Sequence, residues 1–230
     1  MPTTVWPTIR SHVVRTTNLD ACGAPVVGPK SQIVSDGHVS IKISPQYEDG
    51  EETAPKNAAG KIQFVDKAQD ELKYHNVEIA FLQVHPELFS QTTGQPIVLD
   101  HAGNATGIRI GATIRSNFAL ETWTDVPGTA CGEDGKLYGY ALLPWIRDGR
   151  LGDFSFENAL ANFTITARTE ARSPWGVGPY DVVLNAAVAP ATEPAAGPLL
   201  TPISADQHIH MEPTSVIYPA PTAGAVPLAP

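Results

Sequence analysis

The stretch His38-Val39-Ser40-Ile41-Lys42-Ile43-Ser44 alternates apolar and polar residues without a break. A period of two puts Val39, Ile41 and Ile43 on one face and the polar residues on the other, which predicts a half-buried β-strand. Working outward, Asn76 to Val84 repeats the pattern with Val77, Ile79 and Phe81 on one side. Lys61-Ile62-Gln63-Phe64-Val65 reads as another strand. Between the first strand and this one lies the polar segment Glu48 to Gly60, so the region reads as a hairpin with an unusually long tip. Loops of that length without internal structure are uncommon and tend to carry function.

Further strands are expected at Gly107–Ile114, Phe118–Thr124, Leu137–Ile146, Asp153–Glu157, Asn162–Thr169 and Tyr180–Asn185. Turn signals separate them at Pro127-Gly128, Glu133-Asp134-Gly135 and Arg147-Asp148-Gly149. The helix signal is confined to His85–Gly94, where Pro86 stands at the first helical position, Glu87 beside it and Gly94 at the end. With 21 prolines and 19 glycines among 230 residues, the composition also favours strands and turns over long helices. Short strands at this spacing predict an all-β fold, an antiparallel sandwich or barrel with one short helix.

Three segments follow: an irregular N-terminal arm or lead-in over residues 1–37, the β domain over 38–185, and a Pro-rich C-terminal extension over 186–230. Recurrent prolines keep the last out of any central strand, although Ile203 to Met211 could add to a sheet edge. The start of the chain shows no apolar h-region, and no stretch is long enough to span a membrane. Cys22 and Cys131 are too few for a disulfide framework and are expected to be reduced.

The formal net charge of −9, with 15 basic against 24 acidic residues, argues against gripping nucleic acid through its phosphates. Motifs for catalysis fail on named residues. Gly135-Lys136 lacks the preceding glycine and following hydroxyl of a phosphate-binding loop, with Ala130 and Leu137 at those positions. No Gly-x-Ser-x-Gly elbow occurs. Asp153 and Glu157 are an ordinary carboxylate spacing. Asn104-Ala105-Thr106 and Asn162-Phe163-Thr164 fit glycosylation acceptors but are read as chance. His208-Ile209-His210 would place two imidazoles on one face, but no third zinc ligand is evident, and the plainer reading is two polar positions on an exposed segment. No catalytic residue, metal site or cofactor is therefore expected.

The acidic run Glu48, Asp49, Glu51 and Glu52 lacks the spacing of a calcium loop. Two readings stand beside each other, a solvated tip and an inter-subunit loop that docks on a neighbour.

Tyr47-Glu48-Asp49-Gly50-Glu51-Glu52 followed by Lys56-Asn57-Ala58-Ala59-Gly60 resembles the major tail protein of long-tailed, non-contractile bacteriophages that infect actinobacteria. His85-Pro86-Glu87-Leu88-Phe89-Ser90 leading to Thr93-Gly94, and Asp153 to Asn158 followed by Trp175-Gly176-Val177-Gly178-Pro179-Tyr180, support the likeness. It runs from about Ser31 to Met211.

The resemblance implies a β-sandwich of the tail tube type, flanked by the short helix. It also implies hexameric rings that stack into a hollow tube for DNA ejection. Glu48, Asp49, Glu51, Glu52 and Lys56 then become inter-subunit contact candidates. The implied partners are further copies of the chain, the tape measure protein, and the tail terminator and distal tail proteins. DNA would pass through the lumen without specific binding, and no membrane is involved. The implied location is the virion tail, with the host cytoplasm during assembly. Other virion roles remain open at this level: decoration, head–tail joining, or a receptor- or carbohydrate-binding sandwich using Trp123, Trp145 and Trp175.

Overall fold

The computed structural model describes residues 10–111, 114–125, 137–154, 163–188, 190–191 and 193–229. The first half contains β1 (Ser11–Asn18), β2 (Gly28–Ser35), β3 (His38–Glu48), β4 (Glu52–Thr53), β5 (Asp66–Lys67), β6 (Glu71–Phe81) and helix α1 (Pro86–Thr93). Next come β7 (Ile97–Leu99), β8 (Ala105–Ile108), β9 (Asn117–Asp125), β10 (Tyr138–Leu151) and β11 (Phe163–Thr169). The C-terminal part adds β12 (Val183–Asn185), β13 (Ala195–Gly197), β14 (His210–Thr214) and β15 (Val226–Leu228).

Nine strands make one sheet in the order β15-β2-β1-β9-β10-β11-β6-β3, with β14 on the β10 edge. All its pairings are antiparallel. β4–β5, β7–β8 and β12–β13 are separate small hairpins. The protein is thus mostly β with one short helix. Although β2 and β3 stand near opposite ends of the strand order, only Asp36 and Gly37 separate them in the chain. The sheet must therefore curl until β3 comes round toward β1, and His38 Nε2 indeed lies 2.6 Å from Ser11 Oγ.

Curling creates two apolar clusters on opposite faces. The inner one joins Val14 and Ile33 to Val77, Ile79 and Phe81 across the bend, and Leu88 and Phe89 of α1 plug it. The outer one contains Val13, Trp123, Tyr140 and Trp145 under a cover that includes Trp175, Val182, Leu199 and Ile203. Trp123, Trp145 and Trp175 are therefore core side chains and present no aromatic groove.

The helix forms as its residues dictate. His85 Nδ1 accepts from the Glu87 amide at 3.2 Å, and Gly94 closes the helix at φ 72°, a left-handed conformation that favours glycine. Gln91 pins it to the sheet, accepting from Thr16 Oγ1 at 2.9 Å and donating to the Ser31 carbonyl at 3.0 Å.

Several expectations change. Much of the supposed irregular lead-in is strand. β1 lies inside the sheet with both faces buried, so no period of two marks it in the sequence. Arg147-Asp148-Gly149 is no turn. It is a bulge inside the 14-residue β10, with Asp148 at φ 58° and a register shift against β11. Gly149 is required there because a Cβ would collide with the Thr92 carbonyl of α1. Val39 is exposed, since the β3–β6 register shifts between His38 and Ser40, whereas Ile41 and Ile43 do pack inward. Lys61–Val65 forms no strand beyond an isolated Lys56–Ile62 bridge.

β6 starts earlier than expected, at Glu71, and buries Val77, Ile79 and Phe81. The strand expected at Gly107–Ile114 is the shorter β8, and residues 112–113 lie outside the described set. Also outside it are Pro127-Gly128, Cys131, Glu133-Asp134-Gly135, Asn162 and residues 155–158. The tail's prolines sit where sheets tolerate them, Pro213 in β14 and Pro227 in the terminal edge strand β15.

Candidate functional site

Beyond the Glu48 end of β3 and the Glu71 end of β6, the chain continues as a projecting arm. The segment is held by its own hydrogen bonds. Lys67 pairs with Glu52 in β4–β5, and Gln63 N donates to the Pro55 carbonyl at 2.9 Å. At the tip, Asn57 Oδ1 accepts from the amides of Ala59 and Lys61, both at 3.0 Å. The long loop thus has internal structure and stands as a hairpin of its own.

The candidate residues sit along its base and middle. Glu48 pairs with Lys73 across the strands. Asp49, Glu51 and Glu52 are exposed carboxylates near Lys67 or solvent, and Lys56 lies at the tip bridge. Asp70 organises the base, where its Oδ1 accepts from Gly50 N at 2.9 Å and from Lys67 Nζ at 3.1 Å. Those bonds, the Gly50 amide first and Lys67 second, hold its pKa below the ordinary carboxylate value.

What the charges concealed is an apolar strip. Ile62 is 54% exposed, Phe64 59% and Val65 58%, with Tyr47 and Leu72 also exposed at the hairpin base. None belongs to either apolar cluster of the described residues. The run Ile62-Gln63-Phe64-Val65 is visible in the sequence, where it reads as a strand and says nothing of whether a core receives it.

A second polar constellation is buried beneath the cover segment. Arg15 of β1 donates from Nε and Nη2 to the two carboxylate oxygens of Glu121 of β9, both at 2.6 Å. Tyr140 Oη donates to Glu121 Oε1 at 2.7 Å. The guanidinium lies 3.4 Å from the Tyr180 ring centroid and 5.1 Å from that of Trp123, and Tyr180 Oη shares a hydrogen bond with Thr17 Oγ1 at 2.7 Å.

Burial works against the charge on Arg15, but the Glu121 carboxylate outweighs it and raises the pKa. Burial, then Glu121, pushes Tyr140 well above its usual value and Tyr180 up to about 12. Both carboxylate oxygens of Glu121 accept hydrogen bonds from within the cluster, two from Arg15 and one from Tyr140. The cluster is a fastening between sheet and cover. Sequence reasoning overlooked it, although a lone arginine in Val13-Val14-Arg15 and a lone glutamate in Phe118–Trp123 were visible opposites.

The histidine pair does not behave as expected. His208 is buried and His210 half-buried, and each has its own partners. Among the described residues no group of three or more His, Cys, Asp or Glu could hold a metal ion. A polar groove of 330 Å³ lies between Lys30, Glu87, Gln91 and Arg115, and an apolar one of 270 Å³ between Phe89, Ile108, Leu151 and Phe163. Neither is lined by Arg15 or Glu121. Among the described residues no helix is long and apolar enough to cross a membrane. Compared with known proteins, the chain matches no protein-family model and no curated protein sequence.

Proposed function

We propose that the chain is a structural subunit that assembles with copies of itself, forming hexameric rings that stack into the tail tube of a non-contractile phage. The observation that carries the self-assembly reading is the projecting hairpin. It is ordered by its own hydrogen bonds, yet it exposes Ile62, Phe64 and Val65, which no described residue of the subunit covers. Apolar residues on an ordered projection gain free energy only by burial on another molecule, on the order of 1.5–3 kcal/mol per fully buried side chain.

A second support is the β3 edge. β3 is an 11-residue strand at the end of the strand order, with its outer edge unpaired among the described strands. Such an edge is a liability that a neighbouring subunit relieves. A head-to-tail contact that closes by rotation gives a ring, and one that translates gives a filament; a tube combines the two. The hexamer and the tube follow from the resemblance of the Glu48–Gly60, His85–Gly94 and Trp175–Tyr180 segments to major tail proteins. So does the finer fold reading, in which the curled sheet is a tail tube β-sandwich with α1 as its flanking helix. In that setting the acidic surface, at −9 per chain, lets DNA pass without being held.

The test is electron microscopy of the purified protein at rising concentration and several salt concentrations. Six-fold rings and tubes are expected. A particle that keeps single-subunit mass throughout would overturn the proposal. Replacing Phe64 and Val65 with Ser is expected to leave a folded subunit that does not stack. Tubes of normal length from that variant would remove the hairpin from the contact.

A further inference from the structure

One edge of β10 is shared by two strands. β11 pairs with its C-terminal half, ending at Ile146 opposite Thr169. β14 pairs with its N-terminal half, starting at Leu142 opposite His210. Pro144 lies between those two halves of β10, and at this seam three groups from three elements meet. His208, only 7% exposed, precedes β14 and places Nδ1 2.8 Å from Thr169 Oγ1. That same hydroxyl accepts from the backbone N–H of His75 in β6 at 2.9 Å. The two imidazoles then meet edge to face, with centroids 5.6 Å apart at 61°.

Two imidazoles packed edge to face, one of them out of water, favour their neutral forms, since two charged rings would repel each other there. With the His75 amide on one lone pair of Thr169 Oγ1, the hydroxyl can donate to an unprotonated His208 Nδ1 or accept from a protonated one through its other lone pair, so this bond serves either form. His75 Nδ1 is buried with no hydrogen-bond partner, so a proton there would be an unsatisfied buried donor. The charged groups around the seam offer little relief. Glu170 is the acid that acts on His208, but Arg147 Nη1 already holds it at 3.1 Å. Arg168 lies over Tyr74 and pairs with Asp148, and His210 is paired with Glu212 at 3.4 Å.

We propose that the His75–His208 contact is a proton-operated catch, which holds the start of β14 on the sheet when both rings are neutral and frees β14 from the β10 edge when they are charged. Burial lowers the pKa of His75, with His208 adding to the effect, and burial lowers that of His208 against the opposing pull of Glu170. The sign follows. In the released state both rings titrate near the ordinary 6.5, so from pH 6.5 downward protons favour release, and the effect saturates once the pH is below the depressed values. Release is bounded, because the chain beyond is fastened separately through Thr222 to Val34 and through the Ala225 amide to Glu87. The catch belongs to a single subunit and does not depend on the assembly reading.

Hydrogen exchange of the full chain, corrected for the intrinsic pH dependence, tests it at pH 7.5 and 5.5. A peptide covering 206–214 is expected to exchange faster at the lower pH. A peptide covering β9 is expected to stay unchanged. The double variant His75→Phe with His208→Gln keeps a ring and an acceptor but cannot titrate, and its 206–214 exchange is expected to be the same at both pH values. Equal protection of the wild-type peptide at the two pH values, or persistence of the acid effect in the double variant, would overturn the proposal. Should the variant not fold, NMR titration of the wild-type histidines decides: values for His75 and His208 at or above 6.5 would sink it.

Discussion

The hairpin arm and the cluster under the cover segment both pair carboxylates with bases, and they use them in opposite ways. Glu48–Lys73 and Lys67–Asp70 lie in water, where screening and side-chain entropy leave an ion pair little net worth. Arg15–Glu121 lies out of water, with Glu121 0% exposed and three hydrogen bonds on its carboxylate. There the pair cannot be halved without leaving a bare buried charge. The same residue types are therefore fastening in one place and solubilising dressing on an apolar strip in the other.

The strongest way to break this contrast is Glu121→Ala. It strands the Arg15 guanidinium between Tyr180 and Trp123 and is expected to cost about 3–5 kcal/mol in urea unfolding. A cost under about 1 kcal/mol would mean that the buried pair fastens nothing. The next effect appears in alkali. Unfolded tyrosines ionise near pH 10, but Tyr180 does so at about 12 and Tyr140 is also raised, so stability is present below pH 10 and falls as the pH rises toward 12. Tyr180→Phe is expected to make that fall shallower, and an unchanged slope would place the sensitivity elsewhere. The smallest effect is at the hairpin, where Glu48→Gln is expected to change unfolding free energy by less than about 0.5 kcal/mol. A larger loss would show that the arm's charges hold the fold.

Some of this was readable from local pattern. Helix α1 carries its own start and stop residues, and β6 has one buried face and one wet face, so a period of two exposes it. β1 was not readable, because Arg15, Thr16 and Thr17 look like surface residues until Glu121, Gln91 and Tyr180 are found opposite them. The hairpin was legible as a long acidic excursion, but its internal bonds and its apolar strip were not. Ile62, Phe64 and Val65 look the same in sequence whether a core receives them or not.

By itself the sequence determined the all-β class, the one helix and the acidic excursion, since each rests on contacts within a few residues. The tertiary structure alone decided that the sheet curls to bring β1 near β3, that the lead-in and tail supply strands to it, and that Arg15 finds Glu121. Those outcomes depend on pairing between distant segments, where burial on both faces erases periodicity and a polar residue's role is set by the partner that folding brings to it.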